Sequence, residues 1–290
     1  MLMERKPKWI RAKIPSGPLY NRVSRVLRSK GLHTVCEEAL CPNIAECWEH
    51  GTATIMLLGD VCTRSCRFCA VKAGNPMGHV SASEPEKVAM AVNELNLDYI
   101  VLTSVCRDDL YDGGAWIFAE TVKAIKMLRP NAKVEVLIPD FKGDKDAIEI
   151  VVKSKPDVIG HNLETVKRLT PVVRDRRASY YVSLNVLKTV KELDYKIYTK
   201  SSLMLGLGET EQEIVEAMSD LRSVGVDILT LGQYLRPTKL HAPVVEYVRP
   251  EAFERLRNIA LSLGFKAVAS APLVRSSYMA SELFQKASGG

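Results

Sequence analysis

Thr54-Ile55-Met56-Leu57-Leu58, followed after three residues by Cys62-Thr63-Arg64-Ser65-Cys66-Arg67-Phe68-Cys69, is the stretch on which the fold turns. The first five residues read as a short strand, because strands buried on both faces carry continuous apolar runs. The three cysteines behind it are spaced C-x3-C-x2-C. In parallel α/β folds the reactive loops sit at the C-terminal ends of strands, so this triplet lies where an active site would be. Three thiolates on one compact loop can hold three irons of a four-iron cube and leave the fourth open to a cofactor or substrate. Electron carriers instead fill every iron with cysteine. Structural zinc is the plainer alternative, but it takes four Cys or His ligands, usually in two pairs, and only His79 stands near, poorly spaced. No G-x-G-x-x-G follows the strand, so the dinucleotide-binding fingerprint is missing.

The same rhythm continues downstream. Apolar runs at 99–103, 133–137, 157–160, 201–205 and 227–231 predict strands, and amphipathic stretches at 85–96, 115–129, 145–154, 179–193 and 210–224 predict helices between them. Such alternation implies a parallel sheet with right-handed crossovers. Six units are too few to close an eightfold barrel. The expected fold is α/β, a partial (β/α)6 TIM-type barrel with N-terminal and C-terminal extensions. A helix at 250–263 and a short strand near 266–269 fall in the tail. The expected division is an N-terminal extension at 1–50, the barrel at 51–235, and a C-terminal extension at 236–290 that closes the barrel.

Upstream, a helix is predicted over 19–29, with Leu19, Val23, Val26 and Leu27 on one side, Arg22, Arg25 and Arg28 on the other, and Gly31 as its stop. A second triplet follows, Cys36-x4-Cys41-x5-Cys47. Coming so close to the first, it suggests a second cluster over the barrel mouth; the plainer alternative packs the thiols around Trp48. The chain has seven cysteines. An odd count with six crowded into 36–69 argues against a disulfide framework and for metal.

Of the 290 residues, 47% are hydrophobic and 26% charged, which places the chain among globular proteins with a large core. No apolar run approaches the roughly 18 residues needed to span a bilayer, and Met1–Trp9 lacks the apolar stretch of a secretory signal. A reducing, cytoplasmic setting is expected, with neither membrane nor nucleic acid as partner. The net charge is +6, and much of the excess is a basic arm in which Arg5, Lys6, Lys8, Arg11 and Lys13 face only Glu4. Such an arm on its own could meet nucleic acid, a membrane surface or an acidic protein, or simply be a solvated terminus.

The triplet at Cys62, Cys66 and Cys69, with Phe68 before its last cysteine, resembles that of the radical S-adenosylmethionine (SAM) superfamily. Further motifs resemble one family within it, the lipoyl synthases. They are Gly31-Leu32-His33-Thr34-Val35-Cys36-Glu37-Glu38-Ala39, Cys41-Pro42-Asn43, Ala45-Glu46-Cys47, Gly51-Thr52-Ala53-Thr54, Thr103-Ser104-Val105, Arg107-Asp108-Asp109-Leu110, Asp112-Gly113-Gly114, His161-Asn162-Leu163-Glu164, Gly206-Leu207-Gly208-Glu209-Thr210, Leu231-Gly232-Gln233-Tyr234 and Arg275-Ser276-Ser277-Tyr278. The likeness runs over about residues 8–285.

The resemblance implies two 4Fe-4S clusters and SAM as cofactors. One cluster is on Cys62, Cys66 and Cys69. The auxiliary one is on Cys36, Cys41, Cys47 and Ser277, with Ser276 the second choice for the serine, and no catalytic residue is implied beyond the clusters. It implies insertion of two sulfur atoms, at C6 and C8 of an octanoyl-lysine on a lipoyl carrier domain or the glycine-cleavage carrier protein, with the auxiliary cluster as sulfur donor. Reduced ferredoxin or flavodoxin as electron donor and an iron–sulfur carrier for rebuilding the cluster are implied partners. SAM contacts are expected from Thr103, Ser104, Asn162, Glu164, Arg174 and Gly206. Asp108, Asp109, Asp112 and Arg275 are candidates to shape a substrate channel, and His33, His50, His79, His161 and His241 are read as structural. Cys106 stands where the family commonly has aspartate and is read as a spare thiol. A tRNA methylthiotransferase would need separate flanking domains, biotin synthase would lack the Cys36–Cys47 triplet, and an electron carrier would not need a barrel.

Overall fold

The computed structural model describes residues 6–11, 17–49 and 53–289. Arg5 and Lys13 of the basic arm, His50, Gly51 and Thr52 lie outside the described residues. The chain opens with α1 (Pro18–Ser29), β1 (His33–Thr34), α2 (Val35–Glu38) and α3 (Ile44–Glu49). The barrel then runs β2 (Thr54–Leu57), β3 (Val61–Cys62), β4 (Lys72–Ala73), α4 (Glu84–Leu95), β5 (Tyr99–Ser104), α5 (Ala115–Leu128), β6 (Lys133–Leu137), α6 (Lys145–Lys153), β7 (Val158–Gly160), α7 (Thr170–Val173), α8 (Tyr180–Leu193), β8 (Tyr198–Leu205), α9 (Glu211–Ser223), β9 (Ile228–Gln233) and α10 (Pro250–Ser262). β10 (Ala267–Ser270) and α11 (Ala280–Ser288) end it.

The six expected β/α units are all present. Their strands join one sheet in the order β1-β2-β5-β6-β7-β8-β9-β10, parallel from β2 onward, with β1 antiparallel to β2 at one edge. The tail strand therefore extends the sheet. The sheet order ends at β1 and β10, which leaves an open seam between them. The strands are apolar and covered on both sides: every residue of β2 and β9 is buried. Helix starts follow local chemistry. Thr210 and Glu213 form a reciprocal capping box at α9, and the side chains of Asp144 and Ser179 accept from the first-turn N–H groups of α6 and α8.

α11 plugs the end of the barrel away from the cysteine loop. Its Phe284 packs on Tyr99 and Tyr198, the first residues of β5 and β8, at ring distances of 5.9 and 5.5 Å. Leu283 is buried beside it, a contact that stabilises by roughly 1.5–3 kcal/mol. Just inside, Lys200 pairs with Glu135 at 2.8 Å, both buried, and Tyr99 donates to the same carboxylate at 2.7 Å. With this end sealed, access is left to the end formed by the C-terminal tips of the strands.

One helix face differs from expectation. Val23, Val26 and Leu27 of α1 are buried, but Leu19 is 42% exposed. Tyr20 takes the inward place instead, with its ring 5.0 Å from that of Trp48.

Candidate active site

The loop leaving β2 carries Cys62, Cys66 and Cys69 and is clamped from several strand ends. Arg64 donates to both carboxylate oxygens of Asp108 at 2.9 Å and to those of Asp140 at 2.6 and 2.7 Å. Burial alone would raise both carboxyls, but the guanidinium outweighs it and holds them below the usual carboxylate range. Asp175 accepts from the Ser65 N–H at 3.0 Å and pairs with Arg177, which also donates to the Thr63 carbonyl at 2.6 Å. The Arg67 N–H bonds the Val173 carbonyl at 2.8 Å, and the Arg67 carbonyl accepts from Ala242 at 2.7 Å. His241 Nε2 meets the Cys69 carbonyl at 2.9 Å.

The sulfurs accept backbone N–H groups, Cys62 from Arg64 at 3.4 Å and Cys66 from Asp175 at 3.3 Å. Burial pushes the Cys66 thiol up and that of Cys69 to about 12, and each feels the charge of Cys62 and Glu164. The Cys62 and Cys106 thiols are electrostatic neighbours, which pulls the Cys62 thiol below its ordinary value and pushes Cys106 above. Cys106 is thus placed against the triplet.

Among the described residues no three His, Cys, Asp or Glu side chains converge on a point that would hold a single metal ion.

The residues expected to meet SAM gather on the same face. Ser104, at the end of β5, has a buried hydroxyl with no partner, while its neighbour Thr103 donates to the Leu137 carbonyl at 3.0 Å. Glu164 follows β7, adopts φ +70°, and accepts from Asn162 at 3.1 Å. Burial raises its carboxyl, and the Arg174 charge works against that rise. Arg174 donates to Ser183 at 2.8 Å and leaves its buried Nε unpaired. An orphaned hydroxyl and an orphaned guanidinium N–H beside three thiols suit a zwitterionic, carboxylate-bearing ligand. Gly206 is accounted for by the protein: a Cβ there would collide with Gln233 and the Glu246 carbonyl. Asp109 pairs with Arg107 at 2.8 Å and Asp112 accepts from the Gly114 and Trp116 N–H groups, so both serve the loop rather than open space.

The second triplet lies at the seam, close to the turn that follows β10. β1 runs antiparallel to β2, so the chain leaving it heads for the start of β2, where the Thr54 N–H reaches the Cys36 sulfur. Burial pushes Cys36 to about 11 and Cys47 to about 12, and each feels the charge of Cys41. The buried Trp48 indole N–H has no oxygen or nitrogen acceptor and lies against Cys36.

The C-terminal turn closes on this group. Asn43 donates to the Leu273 carbonyl at 2.6 Å. Gly232 in β9 lacks the Cβ that would strike the Val274 carbonyl, which lets the turn seat on the strand. Arg275 is buried near Cys41, whose charge favours the guanidinium against the cost of burial. Tyr278 senses Glu46 and Cys47. Ser276 and Ser277 lie between these two contacts. A buried cation and an orphaned N–H around three thiols fit an anionic cluster.

Sequence reasoning did not single out Arg64, Asp140, Asp175 or Arg177. The signal available was a charged residue inside the cysteine loop, which needs a carboxylate once buried.

Residues 56–221, more than half of the chain, match the model of the radical SAM superfamily, and residues 2–41 match that of the N-terminal domain of lipoyl synthase. A lipoyl synthase of Thermus thermophilus is 58% identical over 97% of this chain and 87% of its own length. Another, of Pyrobaculum arsenaticum, is 55% identical over 99% of this chain and 97% of its own. The chain belongs to the lipoyl synthase family. As a radical SAM lipoyl synthase family member it is a sulfur-inserting enzyme that uses SAM and a 4Fe-4S cluster. Solved structures agree on the fold alone. Methylornithine synthase has a TM-score of 0.57 at 12% identity, covering 86% of this chain and 69% of its own. The FeFe-hydrogenase maturase HydG of Carboxydothermus hydrogenoformans has a TM-score of 0.57 at 14% identity, covering 86% and 64%. Among the described residues no helix is long and apolar enough to cross a membrane.

Proposed function

We propose that this chain inserts two sulfur atoms, at C6 and C8, into an octanoyl group carried on a lysine of a lipoyl carrier domain or the glycine-cleavage carrier protein. Cys62, Cys66 and Cys69 hold the cluster that meets SAM; Cys36, Cys41, Cys47 and Ser277 hold a second that provides sulfur. When bound and reduced, these groups would supply radical chemistry able to remove hydrogen from the octanoyl chain, and the sulfur to replace it.

The protein's own part is placement. Arg64, Asp108 and Asp140 hold the first cysteine loop rigid, so no ordering cost falls on cofactor binding. Ser104 and Arg174 offer donors to the cofactor's carboxylate. Glu164, with Arg174 beside it, can accept from its ammonium or ribose. Asn162 orients Glu164, Thr103 ties the end of β5 to the Leu137 carbonyl beside them, and the Gly206 turn walls the site. The α11 plug excludes water from the far end. By role, 1–50 supplies the second cysteine set, 51–235 the radical chemistry, and 236–290 the closing serine turn. Ferredoxin or flavodoxin is the proposed electron source and an iron–sulfur carrier the source of renewed clusters, in the cytoplasm.

The observation that supports this reading most is the pair of cysteine triplets at two places on one barrel, one clamped at the strand tips and one at the seam with Arg275–Tyr278. Anaerobic incubation with reductant, SAM and an octanoylated carrier peptide tests it. The peptide should gain two sulfur atoms by mass. Methionine and 5′-deoxyadenosine without any sulfur gain would reject it.

A further inference from the structure

We propose that Ser183 and His161 are positioning residues for Arg174: hydrogen bonds running one way through them hold the guanidinium by one nitrogen and leave its buried Nε for the carboxylate of SAM. This rests on the proposed role of Arg174 as a donor to that carboxylate. Arg174 follows α7 and stands beside the first cysteine loop, because Asp175, next in the chain, accepts from the Ser65 N–H at 3.0 Å. Its Nη1 donates to the Ser183 hydroxyl at 2.8 Å. The same hydroxyl lies 2.9 Å from His161 Nε2, and His161 Nδ1 lies 2.9 Å from the Ile138 carbonyl. Ser183 belongs to α8, His161 follows β7 and Ile138 follows β6, so separate segments of the barrel meet in these bonds. Ser183, His161 and Arg174 are all buried.

The two ends fix the direction of every bond. A guanidinium can only donate and a carbonyl oxygen can only accept. His161 Nδ1 therefore carries a proton for Ile138. Burial first, and the Arg174 charge second, push the ring down to about 4 against the pull of Asp140, so at neutral pH it is uncharged with a lone pair at Nε2. Ser183 donates its single hydroxyl proton there and accepts from Arg174. The buried Nε of Arg174 is left without a partner, although Glu164 is near enough for their charges to interact. A buried N–H without an acceptor costs free energy, and an arriving carboxylate relieves that cost. A free arginine side chain has many rotamers; one tethered at Nη1 meets its ligand without that ordering cost.

The test measures binding of SAM and of decarboxylated SAM, which keeps the adenosine, sulfonium and amine. The protein is full-length, reconstituted anaerobically and held oxidised so that nothing turns over. In Ser183→Ala the dissociation constant for SAM should rise about tenfold, as for loss of one hydrogen bond to a charged group, and that for the decarboxylated compound should not change. His161→Leu removes only the far acceptor and should show the same selective loss at smaller size. In the Arg174→Ala protein, adding Ser183→Ala should weaken SAM no further. Equal weakening of both ligands, no weakening of either, or a further loss on top of Arg174→Ala overturns the proposal. If Ser183→Ala does not fold, His161→Leu is read in its place. Failure of both to fold overturns the proposal too, because the pair then serves the core. Wild-type affinity for SAM in Arg174→Ala would instead reject the proposed role of Arg174, and wild-type protein that binds no SAM would reject the proposed function.

Discussion

The two cysteine triplets are built by opposite means. The set at Cys62, Cys66 and Cys69 is gripped by charge. Arg64 ties it to Asp108 and Asp140, Arg177 and Asp175 hold its middle, and His241 meets its end. These clamps come from loops after β5, β6, β7 and β9, so the whole barrel must fold before the loop has its shape. The set at Cys36, Cys41 and Cys47 is gripped by apolar packing. It rides on two short helices around the buried Trp48 and is closed by a turn from the far end of the chain. A loop fixed by buried ion pairs suits a cluster that must keep one geometry through each turnover. A site assembled from segments far apart in the chain suits the proposed second cluster, which would give up sulfur and be rebuilt.

The largest effect should come from the clamped set. Cys62→Ala, Cys66→Ala or Cys69→Ala removes a proposed iron ligand and should abolish 5′-deoxyadenosine formation, and with it all product. Turnover of SAM by any of these variants would erase the difference between the triplets. Arg64→Ala comes next. It leaves Asp140 buried and unpaired, a loss on the order of 3–5 kcal/mol. Stability should fall, and iron should be lost from the first set more than from the second; equal iron at both sets would show that the charge clamp is not what orders the loop.

Ser277→Ala should spare SAM cleavage and remove or severely reduce sulfur insertion; full insertion, with loss in Ser276→Ala instead, would move the ligand by one residue. The smallest effect is expected at the basic arm. Carrier affinity should weaken as salt screens it, and an affinity indifferent to ionic strength would remove the arm from the binding surface.

Much of the barrel was legible because each strand and helix carries its own period: 133–137 and 115–129 differ from β6 and α5 by a residue at most. The two cysteine sets were proposed from spacing, and the clamps around the first could not be. What was not legible depends on contacts across the chain. Arg64 meets Asp140 at a separation of 76 residues, and nothing in either segment alone names the other. β1 has two residues, too few to show alternation, yet its antiparallel direction is what carries the second triplet to the seam. Leu19 fits the helical stripe but lies in the first turn of α1, where Tyr20 finds Trp48 first. The tail strand was visible, but its place as a parallel neighbour of β9 required the sheet itself.

The most direct test of the division between the triplets is the Cys36→Ala variant, reconstituted anaerobically and shown to hold a four-iron cluster on the first set. With reductant, SAM and octanoylated carrier peptide, both 5′-deoxyadenosine and sulfur-bearing peptide are quantified. The account predicts continued release of 5′-deoxyadenosine and no sulfur on the peptide. A loaded variant that makes no 5′-deoxyadenosine, or one that still inserts two sulfur atoms, would contradict it.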